Sequence, residues 1–248
     1  MNKVLFPNIA WILILLVPIV FIGFYPSYFS GLSTNMPSIF HVHAFFMLCW
    51  VAMAVSQPLL IKLKKTKTHR LIGKISYFVM PLVFLTAYLM IRDKYYQVFE
   101  SQTAAAVSGT EIRSAEEIQS NAAAITMIGM VYLTWLIVFY LLAVANRKKL
   151  LFHATYMFGA ILTLLGPSVD RLIGNTFTYF NWPFTFFVVN FVFFFNIAFL
   201  TSLLIYQRVK GNSIKPATIS IAIYIAGIAA FFFLPGTGAW QSFIDLIM

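Results

Sequence analysis

Seven long apolar runs, separated by short polar connections, dominate this chain of 248 residues. Each run is long enough to cross a hydrocarbon core of about 30 Å as a helix, which takes about 20 residues. The apolar positions are continuous and do not alternate with polar ones, so the runs predict transmembrane helices and not the strands of a β-barrel. The predicted spans cover residues 8–27, 42–62, 70–91, 121–145, 153–174, 184–206 and 217–235.

The pattern therefore predicts an all-α fold, a polytopic helical bundle in which residues 1–248 form one integral membrane domain. Composition agrees, because 61% of the residues are hydrophobic and 10% are charged, too few charges to cover a water-soluble globule of this size. The net charge of +10 does not indicate nucleic acid as a partner, since the basic residues form short clusters between spans. Cys49 is the single cysteine, which excludes an internal disulfide and a cysteine-based metal site.

The positions of the basic residues predict the orientation of the spans. The connections after spans two, four and six read KLKKTKTHR, NRKK and QRVKGNSIK, whereas the other connections contain few cations. Of the 17 Lys and Arg residues, only Arg92, Lys94, Arg113 and Arg171 fall on the opposite side. Because cytoplasmic connections are enriched in Lys and Arg, we predict a cytoplasmic N-terminus and an external C-terminus.

The longest predicted connection is an outer loop at 92–120. Within it, Ser114 and Glu117 have the spacing of a capping box, in which the serine accepts a bond from the helix N-terminus and the glutamate reaches back. The helix of span four should therefore begin near Ala115, outside the membrane. A polar connector is the simpler interpretation of this loop, and a lid or docking surface is the alternative.

Two histidines predict a cofactor site on the inner side. His69 and His153 each follow a basic connection and open an outward-running span, so they lie at similar depth on different helices. Opposing imidazoles of this kind are the axial ligands that a b-type haem needs for electron transfer. Gly73 and Ser76 continue the His69 face, which leaves room for a flat macrocycle or for another helix. The alternative is that both histidines lie among headgroups and contact anionic lipid.

A second group of polar residues is predicted at the outer ends of spans two and five. His43 begins span two, and Asp170 with Arg171 lies toward the outer end of span five. Ionisable groups in spans are costly, so an outer polar cluster of these three residues is a candidate quinone, haem-propionate or proton site. The alternative is that Asp170 and Arg171 only form an ion pair with each other at the membrane interface, without a functional role.

A metal site is a further alternative at the outer face. His41 and His43 in an extended segment could bind one metal ion, with Asp170 as the third ligand. If the helix has already begun at these positions, His41 points away from His43, because residues two apart do not share a helix face.

The stretch from His41 to Lys74 resembles an uncharacterised group of bacterial multi-pass membrane proteins. The shared pattern is His, Met and Trp in one span, a Gln-Pro pair, a short basic turn and His-Arg-x-x-Gly. Here those positions are His43, Met47, Trp50, Gln57, Pro58, His69, Arg70 and Gly73. A second matching part combines His153 with the segment GPSVDR, which ends in Asp170 and Arg171. The resemblance implies a multi-pass protein of the bacterial inner membrane.

More remotely, histidines at the ends of paired helices are similar to the pattern of di-haem transmembrane b-type cytochromes. That resemblance implies two histidine pairs, one near each membrane face. This chain offers an inner pair, but its outer histidines, His41 and His43, lie on one helix.

The leading hypothesis is an inner-membrane protein that binds b-type haem and relays electrons across or along the membrane. Besides the lipid bilayer, its partner would be a quinone or another membrane redox protein, and any enzymatic activity would be of the oxidoreductase kind. The competing hypothesis is a non-enzymatic transporter, or an accessory or assembly subunit of a membrane complex. In that case polar side chains bond between helices without a cofactor. The candidates for such bonds are Gln57, Asn190, Asn196 and Thr201.

Overall fold

The structure is a computed structural model that describes residues 13–110 and 112–248. These residues form nine α-helices joined by short connections. The helices are α1 (Leu16–Phe24), α2 (Ser38–Lys62), α3 (Thr66–Val107), α4 (Ala115–Ala145), α5 (Leu150–Tyr179), α6 (Phe186–Val189), α7 (Phe191–Val209), α8 (Lys215–Phe233) and α9 (Gly238–Ile247).

Six of these helices, α2 to α5 together with α7 and α8, are long and apolar enough to cross a membrane. They coincide with six of the seven predicted spans, and the prediction of a helical membrane bundle is confirmed at this level. The first predicted span, 8–27, begins outside the described residues. Its described part contains α1, which packs along α5. Seven spans and the orientation of the termini stay predictions.

Helix α5 is the centre of the bundle. It packs along α4 on one side and α1 on the other, and it also contacts α7 and α8. Helices α2, α3 and α4 follow one another side by side, so the chain winds outward from α5 as a series of antiparallel neighbours. Large aromatic side chains fill the space between the central helices, because their rings remove much apolar area from the surroundings. The most deeply buried are Trp50, Trp135, Phe139 and Tyr224.

The bundle has two chemically different ends. The connections between α2 and α3, α4 and α5, and α7 and α8 contain the basic clusters, and we call this the basic end. The remaining connections lie at the opposite end with Asp170, which we call the Asp170 end. Because neighbouring helices are antiparallel, each helix contributes one terminus to each end.

The predicted loop at 92–120 is much shorter in the structure. Helix α3 continues to Val107, so it contains 42 residues and is about 63 Å long, roughly twice the hydrocarbon thickness. The segment after Arg92 stays helical because it is rich in good helix formers and because α9 covers it, with Tyr88 and Tyr96 donating to backbone carbonyls at the end of α9. Gly109, with a φ of 73°, follows the helix end.

The predicted capping box at the start of α4 is confirmed. The Ser114 hydroxyl accepts a bond from the Glu117 amide at 3.2 Å, and the Glu117 carboxylate accepts one from the Ser114 amide at 2.8 Å. Helix α4 begins at Ala115, as predicted.

Candidate functional site

His153 is held in a defined orientation at the basic end. Its Nδ1 lies 2.9 Å from the carbonyl oxygen of Ala143, on the preceding helix. A carbonyl oxygen can only accept, so Nδ1 is the protonated nitrogen and Nε2 of the neutral ring carries the lone pair. An imidazole fixed in this way is ready to bind a metal through Nε2, since ligating histidines usually donate their other N–H to an oxygen.

His69 lies in the first turn of α3, where it is half-buried. Its backbone carbonyl accepts a bond from Gln57 Nε2 at 3.3 Å, which ties the end of α2 to the start of α3. Among the described residues, no hydrogen-bond partner reaches His69 Nδ1 or Gln57 Oε1, although both atoms are buried. Buried polar atoms are normally paired, so these two atoms call for a water or a ligand.

The two predicted inner histidines both lie in the first turns of their helices at the basic end, His69 on α3 and His153 on α5. Helix α4 lies between their helices. The Tyr140 hydroxyl, one turn from the carbonyl that anchors His153, lies 2.9 Å from the Ser76 hydroxyl on α3.

The space beside His69 is open. Gly73 lies one turn further along the same face of α3. If Gly73 carried a Cβ, no atom in the described part of the chain outside the adjacent backbone would lie within 4 Å of it. A third unpaired group lies near the middle of α2, where the fully buried Trp50 Nε1 finds no acceptor within residues 13–110 and 112–248.

At the Asp170 end, His43 bonds across to α3. Its Nδ1 lies 3.1 Å from the Thr86 hydroxyl, and that hydroxyl donates to the Leu82 carbonyl at 2.7 Å. Because the hydroxyl has one hydrogen and already donates it, His43 Nδ1 must be the donor and Nε2 carries the lone pair. The histidine therefore joins α2 to α3 and keeps one nitrogen available.

Asp170 and Arg171 turn to different helices. The Tyr132 hydroxyl donates to Asp170 Oδ2 at 2.7 Å, which joins α4 to α5. Gly166 makes this bond possible, because any Cβ there would overlap the Tyr132 ring. Arg171 faces α1, with its guanidinium carbon 4.6 Å from the centre of the Phe24 ring. All three predicted outer residues lie at the Asp170 end, and each bonds to a different neighbour, His43 to Thr86, Asp170 to Tyr132 and Arg171 to the Pro167 carbonyl.

The residues of the metal alternative are not assembled as a ligand set. His41 Nδ1 lies 3.1 Å from the Tyr28 hydroxyl, whereas His43 turns to Thr86 and Asp170 to Tyr132. Both histidines lie in α2, where residues two apart point in different directions. In the part of the chain that the structure describes, no three His, Cys, Asp or Glu side chains are grouped as metal ligands.

Sequence reasoning missed most of the partners of these residues. These partners are distant in sequence, so local spacing does not predict them. The separations are 38 positions for Tyr132, 43 for Thr86 and 13 for Tyr28. For Tyr132 and Thr86, a hydroxyl within an apolar helix is the signal in the sequence, because a buried hydroxyl in a membrane needs a partner.

Not all of the polar residues that were predicted to form hydrogen bonds between helices do so in the structure. Gln57 bonds to α3, but Asn190 bonds to the Phe186 carbonyl close by in sequence. Asn196 is fully buried, and neither of its amide atoms has a partner among the described residues. The bonds from α7 and α8 to the central helices come instead from other side chains. These are Gln207 to Thr155, Trp135 to the Ile223 carbonyl, and Tyr224 to the Gly159 carbonyl.

No protein-family model, curated protein or solved structure matches the chain, so its function is argued from the geometry above.

Proposed function

We propose that this membrane protein binds one b-type haem at the basic end, with His69 and His153 as axial ligands, and exchanges electrons there with a membrane redox partner. The observation that carries the proposal is that two histidines on different helices lie at the basic end, and that the Ala143 carbonyl orients the ring of His153 through Nδ1. Two imidazole ligands are the usual axial set of electron-transferring b-type haem.

Two features beside the histidines support a haem at this place. Gly73 leaves the neighbouring space open, and the buried atoms His69 Nδ1 and Gln57 Oε1 lack partners within the described residues. The Ala143 carbonyl holds the His153 ring through Nδ1, which raises the basicity of the ligating nitrogen. When bound, the haem supplies one-electron chemistry, and the protein supplies the ligands and their orientation.

Basic side chains at this end are suited to the two propionates of a b-type haem. Arg70 lies directly after His69 and acts on it electrostatically. Arg147, in the connection before α5, donates to the Tyr77 hydroxyl on α3 at 3.1 Å, so a second cation lies beside α3 at this end. Guanidinium groups bind carboxylates through paired hydrogen bonds, which favours Arg70 and Arg147 as the propionate ligands.

The arrangement favours electron exchange at the basic end over transfer across the membrane. A transmembrane relay of the di-haem kind needs a second histidine pair, but His41 and His43 lie on one helix and turn to Tyr28 and Thr86. The redox partner would therefore meet the protein at the end that contains His69. A quinone or a membrane redox protein are the partner classes with suitable chemistry.

The proposal is tested by the absorption spectrum and iron content of the purified protein. Cells supplied with a haem precursor should yield a red protein with a Soret band and about one haem per chain. His69→Ala and His153→Ala should each remove most of the bound haem, because each variant removes one axial ligand. His41→Ala is the matched control, since its ring bonds to Tyr28 at the other end of the bundle.

Two results would overturn the proposal. One is a folded wild-type protein that stays colourless and iron-free after haem supplementation. The other is full haem retention in both alanine variants.

A second candidate is a cofactor-free transporter or accessory subunit. It is favoured by the bonds from Gln207, Trp135 and Tyr224, which join α7 and α8 to the central helices without a ligand. A folded, iron-free protein that copurifies from native membranes with a defined complex would support this candidate.

A further inference from the structure

A cavity of about 490 Å³ lies between α1 and α5 at the Asp170 end. Its walls are mainly aromatic, with Phe21 and Tyr25 from the α1 side and Tyr179 and Phe180 from the end of α5. Asn175 and Thr176 supply polar groups on the α5 wall. The volume lies within the range of small-molecule sites, which are mostly apolar with a few polar groups.

A cation lies at the inner edge of this cavity. The Arg171 guanidinium stacks over Phe24, which belongs to the same short segment of the chain as the cavity residues Phe21 and Tyr25. Leu172 follows Arg171 directly, and Asn175 lies one turn further along the same face of α5. Arg171 therefore neighbours the lining residues of the cavity in both helices, without being a lining residue itself.

Arg171 interacts electrostatically with its neighbour Asp170, but the two side chains bond to different partners. Asp170 accepts its bond from Tyr132 and faces α4, while Arg171 donates to the Pro167 carbonyl at 2.9 Å. Within the described residues, no carboxylate lies at ion-pair distance from the guanidinium. The side chain is also exposed, so its remaining N–H groups can reach a ligand.

The depth of the cavity corresponds to the headgroup layer. Helix α5 begins at Leu150, and about 20 helical residues cross the hydrocarbon core, which places Arg171 at its far boundary. The cavity residues Asn175 to Phe180 continue beyond that boundary. An apolar cavity with a cation at this level is complementary to an anionic lipid.

We infer that the cavity binds an anionic phospholipid, with its phosphate on Arg171 and its apolar part on the aromatic walls. Arg binds phosphate through charge-assisted, often paired hydrogen bonds, and the Phe24 ring holds the guanidinium in place for this contact. The inference concerns the opposite end of the bundle from the haem site and does not depend on it.

The test is a titration of the purified, full-length protein with phosphatidylglycerol and with phosphatidylcholine of identical acyl chains, read by native mass spectrometry. We expect tighter binding of phosphatidylglycerol to the wild type. Arg171→Gln should weaken that binding about tenfold or more, because one charge-assisted contact is lost. Lys94→Gln is the matched control, since it removes one positive charge from an exposed position at the same end.

A second variant tests the contribution of the cavity separately from that of the Arg171 charge. Asn175→Trp fills the cavity from an exposed helix position while keeping Arg171, so it should also reduce phosphatidylglycerol binding without unfolding the protein. Equal binding of the two lipids, or unchanged binding in folded Arg171→Gln, would overturn the inference. A third titration uses oleate, an anion without a phosphate group. If oleate binds as tightly as phosphatidylglycerol, the assignment of a phospholipid is overturned.

Discussion

Two glycines, Gly23 and Gly73, mark the difference between the two ends of the bundle. At the Asp170 end, a Cβ on Gly23 would overlap the carbonyl oxygen of Ser168, so the backbones of α1 and α5 are in direct contact. At the basic end, the space beside Gly73 is free of atoms within 4 Å in the described structure outside the adjacent backbone. The backbones of α1 and α5 therefore touch at Gly23, whereas α3 is open beside Gly73.

The histidines and their partners differ between the two ends in the same way, although Gln102 Oε1, on the extension of α3, is also buried and unpaired among the described residues. At the Asp170 end, the histidines and the carboxylate bond to hydroxyls on other elements, as in His43 to Thr86 and Asp170 to Tyr132. At the basic end, the unpaired buried atoms include His69 Nδ1 and Gln57 Oε1, as far as residues 13–110 and 112–248 show. Polar groups that bond between helices stabilise a bundle, whereas unpaired ones beside open space are suited to a ligand.

Adding a methyl group at Gly23, where the two backbones touch, should have the largest effect on stability. We expect Gly23→Ala to lower the free energy of unfolding by about 3 kcal/mol, because the added methyl group meets backbone atoms that cannot move aside. Unfolding in mixed micelles measures the change. Gly174→Ala is the control, since a Cβ there meets no described atom within 4 Å. Equal losses in both variants would contradict close packing at Gly23.

Filling the opening at Gly73 should act on the cofactor and leave the fold intact. We expect Gly73→Leu to weaken haem binding about tenfold or more, an effect of the size seen when the surroundings of a metal ligand are altered. The thermal unfolding of the haem-free protein should stay close to that of the wild type. Gly174→Leu, at an open position of the opposite end, should leave haem binding unchanged. Full haem binding by Gly73→Leu would place the macrocycle elsewhere.

Removing the Tyr132 hydroxyl should destabilise the Asp170 end by an intermediate amount. Tyr132→Phe leaves the half-buried Asp170 carboxyl without its donor, which should cost about 1–3 kcal/mol in unfolding measurements. Tyr179→Phe is the control, because that side chain is largely exposed. The Soret band should be the same in both variants. A loss of haem in Tyr132→Phe alone would show that the two ends are coupled.

The bond between His43 and Thr86 should have the smallest effect. We expect a coupling energy of about 1 kcal/mol from a double-mutant cycle of His43→Ala and Thr86→Val, the usual net value of one hydrogen bond. The haem content should not change in any member of the cycle. Bleaching in His43→Ala would contradict the assignment of His43 to the structural end.

Much of the architecture followed from local features of the sequence. The runs of apolar residues predicted six helices that the structure contains, and Ser114 with Glu117 predicted the start of α4. The positions of His69 and His153 after basic connections predicted that both would lie at one end. The extent of α3 was missed, because α9, which covers its extension, contacts it from more than 150 positions away in sequence.

The directions of neighbouring side chains were less accessible to sequence reasoning. Asp170 and Arg171 are adjacent in the chain. One of the two hypotheses from the sequence was that they form an ion pair with each other. In the structure the helix turns them toward α4 and α1, because successive residues point about 100° apart. Which helices would lie in those two directions depends on the packing around α5.

The sequence by itself determined which segments enter the membrane and where the cations collect, because hydrophobicity and charge act on each segment independently. The tertiary structure decided which polar atoms are paired. Tyr132 reaches Asp170 only because Gly166 admits its ring, and His69 keeps open space only because no side chain fills the gap beside Gly73 in the described structure. These outcomes depend on contacts between distant segments, and no local pattern in the chain contains them.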